Sequence, residues 1–284
     1  MAIAGADAAA RSSRGGVMAR TATIKRIHFE EDSRLYQDIF NRTQSPHTLE
    51  YFHKLLRLFA PGARKVLDVN TCLGDLAIYL AMRGYCVNAL EPVEKLYGLA
   101  KANCVSNGVT FPVAHSDILS YKSDETFDAV TFKQGIHRVQ EPIELLDMFK
   151  NIHGRLRAGG VLLFDSPLHA EFHEGRAPFY IHETAVRIQR RASVPLYAHT
   201  DRSDTHTEQS DALVTSWNIA TKDYRVQMDS VSKIYPAQAL SAMLSQACFT
   251  DVKFFDASLC MGFVRIPEAR PNSSMIICVA RKSI

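Results

Sequence analysis

The stretch from Lys65 to Ala77, KVLDVNTCLGDLA, constrains the fold more than any other part of this chain. A short apolar segment containing Asp68 reads as a strand, a tight turn carries the chain to Gly74, and helical spacing begins with Leu76 and Ala77. Strand, turn and helix in that order open a parallel α/β unit. Roughly twenty residues further on, CVNALEP reads as a second short strand ending in Glu91. An acid at that place suits a sheet that binds a nucleoside, because one carboxylate can accept from both ribose hydroxyls.

The alternation continues to residue 166. TLEYFHKLLRLF puts Leu49, Phe52, Leu55, Leu56 and Phe59 on one helical face, and Pro61 with Gly62 stop it. Beyond KVLDV the pattern predicts a helix closing at Gly84, a strand YCVNALE, a helix PVEKLYGLAKANCVSNG closing at Gly108, and a strand VTFPVAH. A strand FDAVTFK, a helix EPIELLDMFKNIHGRLR and a strand GVLLFDS come next. Single helices between strands imply right-handed crossovers and a parallel sheet. The periodicity weakens at Pro167, and DALVTSWNIA with DYRVQMDSV predicts an antiparallel hairpin. Regular signals resume with helix PAQALSAMLSQA and strands DVKFFDA and SMIICVA. The expected organisation is a disordered tail over 1–22, a cover and core over 23–166, a cap insertion over 167–233, and the end of the core over 234–284. The insertion exceeds any ordinary connecting loop.

Composition narrows what such a sheet serves. A formal charge of +3 is too small to imply a nucleic-acid partner, and no apolar run approaches the ~18 residues of a membrane helix. The six cysteines, Cys72, Cys86, Cys104, Cys248, Cys260 and Cys278, include no CxxC pair, which favours a reducing compartment and a cytoplasmic location. The first twenty residues are rich in Ala, Arg, Ser and Gly, so organelle import is the alternative location.

In an open parallel sheet, ligands settle beyond the carboxyl ends of the strands where the strand order reverses. The turn after Val69 lies there, with Asp68, Asn70, Cys72 and Gly74 in or beside it, and the following helix offers its first amides to a carboxylate. Asp117, in HSDILS, is placed to accept from an adenine amine, with Ile118 against the ring.

LDVNTCLGDLAIYLA resembles the first motif of class I S-adenosylmethionine-dependent methyltransferases, ALEP (with Glu91 and Pro92) their acidic ribose motif, and HSDILS their adenine motif. FDAVTFKQGIHRVQEP and LRAGGVLLFDSP resemble the family's fourth strand and glycine-turned fifth strand. The resemblance implies an α/β fold, a doubly wound Rossmann-like sheet that is mostly parallel with an antiparallel last strand, plus an inserted α+β cap. It implies S-adenosyl-L-methionine as cofactor and methyl transfer to oxygen, nitrogen or carbon of a small metabolite. In the cap, Phe172, Phe179, Tyr180, Tyr197 and Trp217 among His169, His173, His182, His199 and His206 suit a pocket for an aromatic or heterocyclic substrate. One departure matters. Three alternating glycines are usual in the first motif, and here Asn70 and Cys72 replace two, leaving Gly74. Asn is the non-glycine residue most able to adopt positive φ and Cys is small, so the turn is expected to form at a cost of ~1 kcal/mol.

By the same resemblance, Lys133 and Gln134 flank the methionyl portion, Tyr36 closes over the cofactor, and His137, just beyond the fourth strand, is the candidate general base. His169 and His173 have i, i+4 spacing but no third ligand, so no metal is expected. The expected partner is a small-molecule substrate, with neither nucleic acid nor membrane, and a homodimer is compatible with the sequence. Two other classes stay open. An RNA methyltransferase using Arg11, Arg14, Arg20, Lys25 and Arg26 would bind RNA with steep salt dependence, and a non-catalytic S-adenosylmethionine-binding protein would bind without turnover.

Overall fold

The computed structural model describes residues 24–26, 46–133, 135–167, 179–183, 186–193, 212–221, 225–257 and 275–283. Tyr36, Gln134 and the expected tail over 1–22 lie outside the described residues, as do Phe172, Tyr197, His169, His173, His199 and His206.

The elements run β1 (Ile24–Arg26), α1 (Pro46–Phe59), β2 (Lys65–Val69), α2 (Asp75–Ala81), β3 (Cys86–Leu90), α3 (Glu94–Ser106), β4 (Val113–Ala114) and β5 (Phe127–Phe132). A 3-10 turn (Ile136–Arg138), α4 (Pro142–Arg155) and β6 (Leu156–Pro167) follow. The insertion holds β7 (Phe179–Glu183), β8 (Val186–Ser193), β9 (Ala212–Thr221) and β10 (Arg225–Lys233). The chain closes with α5 (Ala237–Gln246), β11 (Phe249–Asp256) and β12 (Met275–Lys282).

The main sheet has seven strands in the order β11-β12-β6-β5-β2-β3-β4. β2 through β6 are mutually parallel, while β12 runs antiparallel to both β6 and β11. The order reverses at β2, whose neighbours are β3 and β5, so the crevice for a ligand opens at its carboxyl end. Both faces of the sheet are covered, which is why β2, β5 and β6 read as apolar runs rather than alternating strands. On one face Leu145, Phe149 and Ile152 of α4 and Leu240 and Leu244 of α5 pack against Leu67, Val130 and Phe164. On the other, Phe52, Leu55 and Leu56 of α1 and Leu76 and Leu80 of α2 pack against Val66, Ala129 and Leu163. Each such buried side chain contributes about 1.5–3 kcal/mol.

Element ends differ from the sequence expectation for identifiable reasons. α1 starts at Pro46 rather than Thr48, because proline suits a first helical position whose N–H has no partner anyway. The strand expected over VTFPVAH shrinks to Val113–Ala114 at the sheet edge, where Pro112 offers only its carbonyl, to the Ala89 amide (2.9 Å). α4 stops at Arg155 instead of continuing to Arg157. The Arg155 guanidinium donates to the Ser123 carbonyl, and the buried Leu156 pairs with Phe127 to begin β6 early. A bulge between Phe127 and Ala129 then carries β6 past Gly160, where a Cβ would stand 2.9 Å from the Arg157 carbonyl oxygen. β12 extends to Lys282 because its last cations bond helix-end carbonyls. Arg281 donates to Phe59 O at 2.8 Å, and Lys282 to His153 O at 2.9 Å.

The expected β9/β10 hairpin is present, and β7/β8 forms a second one. They join in a five-stranded sheet ordered β1-β10-β9-β8-β7. β1 pairs parallel with β10, a long-range pairing that three residues carry no periodicity to announce. The described residues of the insertion are all strand. The insertion leaves at Pro167, the carboxyl end of β6, and β10 lies beside the Ile136–Arg138 turn that follows β5. Just after β10, buried Tyr235 donates its hydroxyl to the Val139 carbonyl at 2.9 Å.

Candidate functional site

The turn after β2 takes a shape its side chains resist. Asn70, Cys72 and Gly74 all have left-handed backbones, with φ of 52°, 55° and 85°. The two substituted positions therefore adopt the conformation that glycine favours, at a cost of about 1 kcal/mol each.

Hydrogen bonds surround that turn. Thr71 donates its hydroxyl to Asp68 Oδ2 and, from across the sheet, Thr131 donates to Asp68 Oδ1, both at 2.6 Å. The Thr71 amide donates to Leu90 O at 2.8 Å and the Gly74 amide to Thr71 O at 2.9 Å. Glu91 is 2% exposed, and its Oε2 accepts from the Cys72 amide at 2.7 Å while Oε1 accepts from the Val93 amide at 2.9 Å. From α3, Asn103 Nδ2 donates to Leu73 O at 2.9 Å. Asn70 Oδ1 differs from these groups: it is buried and has no hydrogen-bond partner among the described residues.

Charge at the site is mainly acidic. Burial pushes the Asp68 carboxyl up to about 6, against the Thr131 and Thr71 hydroxyls and the Lys133 ammonium, which favour its ionised form. Lys133, almost fully buried just past β5, pairs with Asp75 Oδ2 on the first turn of α2 at 3.5 Å. The Lys133–Asp75 contact links the two turns flanking the crevice.

Beyond β4, Asp117 Oδ1 accepts from the Ser120 amide (2.6 Å) and hydroxyl (2.7 Å), fixing the local turn. Ile118 is fully buried in the cluster that includes Leu67, Val69 and Leu90. His115 donates from Nε2 to the Pro92 carbonyl at 3.0 Å and stacks on Tyr97 with centroids 5.3 Å apart. His137 sits in the 3-10 turn after β5, beside β10. Gly135, just before it, has no room for a side chain, because a Cβ would enter the Phe132 ring. Tyr235, tied to Val139, has its hydroxyl pushed up to about 12 by burial and by Glu141 and Glu144, so it stays a donor.

Asp68, Asn70, Cys72, Gly74, Glu91 and Lys133 thus converge at the carboxyl ends of β2, β3 and β5. Pro92, Asp117 and Ile118 line the adjoining β3–β4 edge. Tyr36 and Gln134 lie outside the described residues. The structure adds Thr71, Thr131, Asp75, Asn103 and Tyr235, and places buried Asp165 and Ser166 at the carboxyl end of β6. The one signal for Asp75 was its position directly after Gly74. Among the described residues no helix is long and apolar enough to cross a membrane, and no group of three His, Cys, Asp or Glu is placed to hold a metal ion.

A family profile described as "Methyltransferase domain" matches residues 66–160, which span β2 to the start of β6. A protein of Geobacillus sp. (strain WCH70) that bears a methyltransferase name is 27% identical over 139 residues. That match covers 48% of this chain and 56% of the relative, so the chain spans little more than half of that protein's length. A solved S-adenosylmethionine-dependent methyltransferase from Clostridium acetobutylicum ATCC 824 superposes with a TM-score of 0.69 at 14% identity, covering 88% of this chain and 99% of that one. The sugar N-methyltransferase KedS8 from Streptoalloteichus sp ATCC 53650 gives 0.63 at 18% identity over 99% and 100% of the two chains. The amino pentose methyltransferase CalS10 from Micromonospora echinaspora, solved with S-adenosylmethionine, gives 0.64 at 18% over 88% and 97%. Residues 66–160 match the methyltransferase-domain profile, and the chain shares the α/β fold of the solved methyltransferases it superposes on.

Proposed function

We propose that this chain is an S-adenosylmethionine-dependent methyltransferase acting on a small metabolite. The observation that carries the reading is the left-handed turn Asn70–Gly74 at the switch point of the sheet, with Glu91 buried beside it. The residues present fit the cofactor. Glu91 is the acceptor for the ribose hydroxyls, and Asp117 and Ile118 face the base. The unpartnered Asn70 Oδ1 and the Asp75 carboxylate suit an ammonium, and Lys133 suits a carboxylate.

When bound, S-adenosylmethionine supplies a methyl group already activated on a cationic sulfur. The protein's contribution is accordingly orientation, worth up to ~7–11 kcal/mol. The turn and Lys133 fix one reactant, and β10, which lies beside the Ile136–Arg138 turn, borders the space for the other. His137 is the base that receives the acceptor's proton, an addition of ~10²–10⁴-fold. The aromatic or heterocyclic acceptor expected from the cap's Phe, Tyr and Trp content rests on side chains outside the described ones. The sugar N-methyltransferase and amino pentose methyltransferase among the structural neighbours support an amine on a sugar-like ring as the first acceptor to test.

Incubation of the protein with methyl-labelled S-adenosylmethionine and separate panels of amino sugars and heteroaromatic amines or phenols tests the reading. Label in one panel supports it. Cofactor binding with no labelled product from either panel or from a metabolite extract favours a binding protein.

A further inference from the structure

The glycine-poor turn poses a question that the functional reading leaves open: what keeps two side-chain-bearing residues left-handed. Backbone strain persists only where the surroundings over-determine it. Thr71 lies between the two strained residues and is tethered three ways, through its hydroxyl to Asp68, its amide to Leu90 and its carbonyl to Gly74. Cys72 is tethered through its amide to Glu91. Asp68 can serve as an anchor because its other oxygen is occupied by Thr131, so each carboxylate oxygen has one hydroxyl donor.

We propose that Thr71 and Thr131, acting through Asp68, together with Glu91, are positioning residues that impose on Asn70 and Cys72 the geometry glycine would adopt unaided. In this chain the cofactor turn is shaped by hydrogen bonds to two buried carboxylates in place of conformational freedom. Thr71 and Thr131 need not touch the ligand, because their effect passes through the turn. The elevated titration of Asp68 accords with a carboxylate kept in the protein for its contacts at the expense of its hydration.

The test is a mutant cycle. Thr71→Val keeps the β-branched shape and removes the donor, and Thr71→Ser keeps the donor. Each is made in the parent chain and in the Asn70→Gly/Cys72→Gly chain, and thermal melts confirm folding. The first readout is amide hydrogen exchange at residues 72 and 74 in the ligand-free protein, and the second is S-adenosylmethionine affinity by calorimetry. In the parent, T71V should speed exchange and weaken affinity by about tenfold each, the loss of one charge-assisted hydrogen bond. T71S should stay within about twofold of the parent, and in the double-glycine chain T71V should cost no more than about twofold. Equal losses in both backgrounds, no loss in either, or T71S behaving like T71V would overturn the proposal. Should T71V not fold, T131V in the same two backgrounds carries the same expectations.

The affinity arm rests on the methyltransferase reading and the exchange arm does not. A parent that binds no S-adenosylmethionine sinks the functional reading, and the exchange cycle alone then decides this one.

Discussion

The turns after β2 and β5 face each other across the crevice, and each depends on a glycine for opposite reasons. At Gly74 the requirement is backbone angle: φ is 85°, while a Cβ would meet Ile78 and Ala100 at ordinary distances of 3.5 and 3.6 Å. At Gly135 the angle, φ −105°, is open to any residue, and the obstacle is the Phe132 ring that fills the space. The first turn is held to the sheet by hydrogen bonds from Thr71 and Cys72 to Asp68, Leu90 and Glu91. The second is packed against its own strand and tied to the cap through β10 and Tyr235. A turn specified by hydrogen bonds keeps a reproducible shape for a common ligand. A turn coupled to an insertion changes with that insertion, so on the proposed function acceptor choice is expected on the β5 side.

The sharpest test of that division is His137→Ala. It should lower methyl transfer by about 10²–10⁴-fold while S-adenosylmethionine affinity stays within about twofold, measured by labelled transfer and calorimetry on one preparation. A comparable loss of affinity would merge the two turns into one functional unit.

A smaller effect, confined to the β2 side, comes from pH. Asp68 titrates at about 6 in the folded chain against an ordinary 3.8, so the proton is bound more tightly folded than unfolded. Its contribution to stability is present below pH 4 and is lost as pH rises through 6, by up to about 3 kcal/mol. Lys133, which favours the ionised form, and Asp75, which opposes it, are the charged neighbours acting on this group. Denaturant unfolding at intervals from pH 4 to 7.5 should show the parent falling relative to Asp68→Asn, whereas parallel curves would remove Asp68 as a titrating group.

The glycines themselves provide the finest discrimination. Gly135→Ala should destabilise by about 1–3 kcal/mol through overpacking against Phe132, with Gly135→Asn costing more. Gly74→Ala should cost about 1 kcal/mol through its backbone angle, with Gly74→Asn costing less, because Asn tolerates the left-handed region. Thermal denaturation of the four variants reads the ranking, and the same Ala/Asn order at both positions would mean that backbone angle and packing are not separate requirements.

The β2–turn–α2 unit and Glu91 were legible because their signals are local: an apolar run, a small-residue turn, and an acid one strand later. That Asn70 and Cys72 accept left-handed angles followed from the chemistry of those side chains. Thr71 and Thr131 were not legible. A threonine in a strand or turn is unremarkable until Asp68 reaches both, and Thr131 lies 63 residues away from it. Tyr235 meets Val139 across 96 residues, a contact that exists only once the insertion has returned to the sheet. The early start of β6 was hidden because helix-forming GRLR continues the α4 pattern, and it is the pairing of Leu156 with Phe127 that ends the helix. Local spacing names elements; contacts between distant hydroxyls, carboxylates and carbonyls assemble the site.

The measurement closest to the central claim is calorimetric titration of the purified chain and of Glu91→Ala with S-adenosylmethionine. The parent should bind one equivalent, and the variant about 10²-fold more weakly, because it loses both the proposed ribose acceptor and the Cys72 tether. A parent that releases no heat and shows no thermal stabilisation by the cofactor, or a variant that binds as well as the parent, would contradict the account.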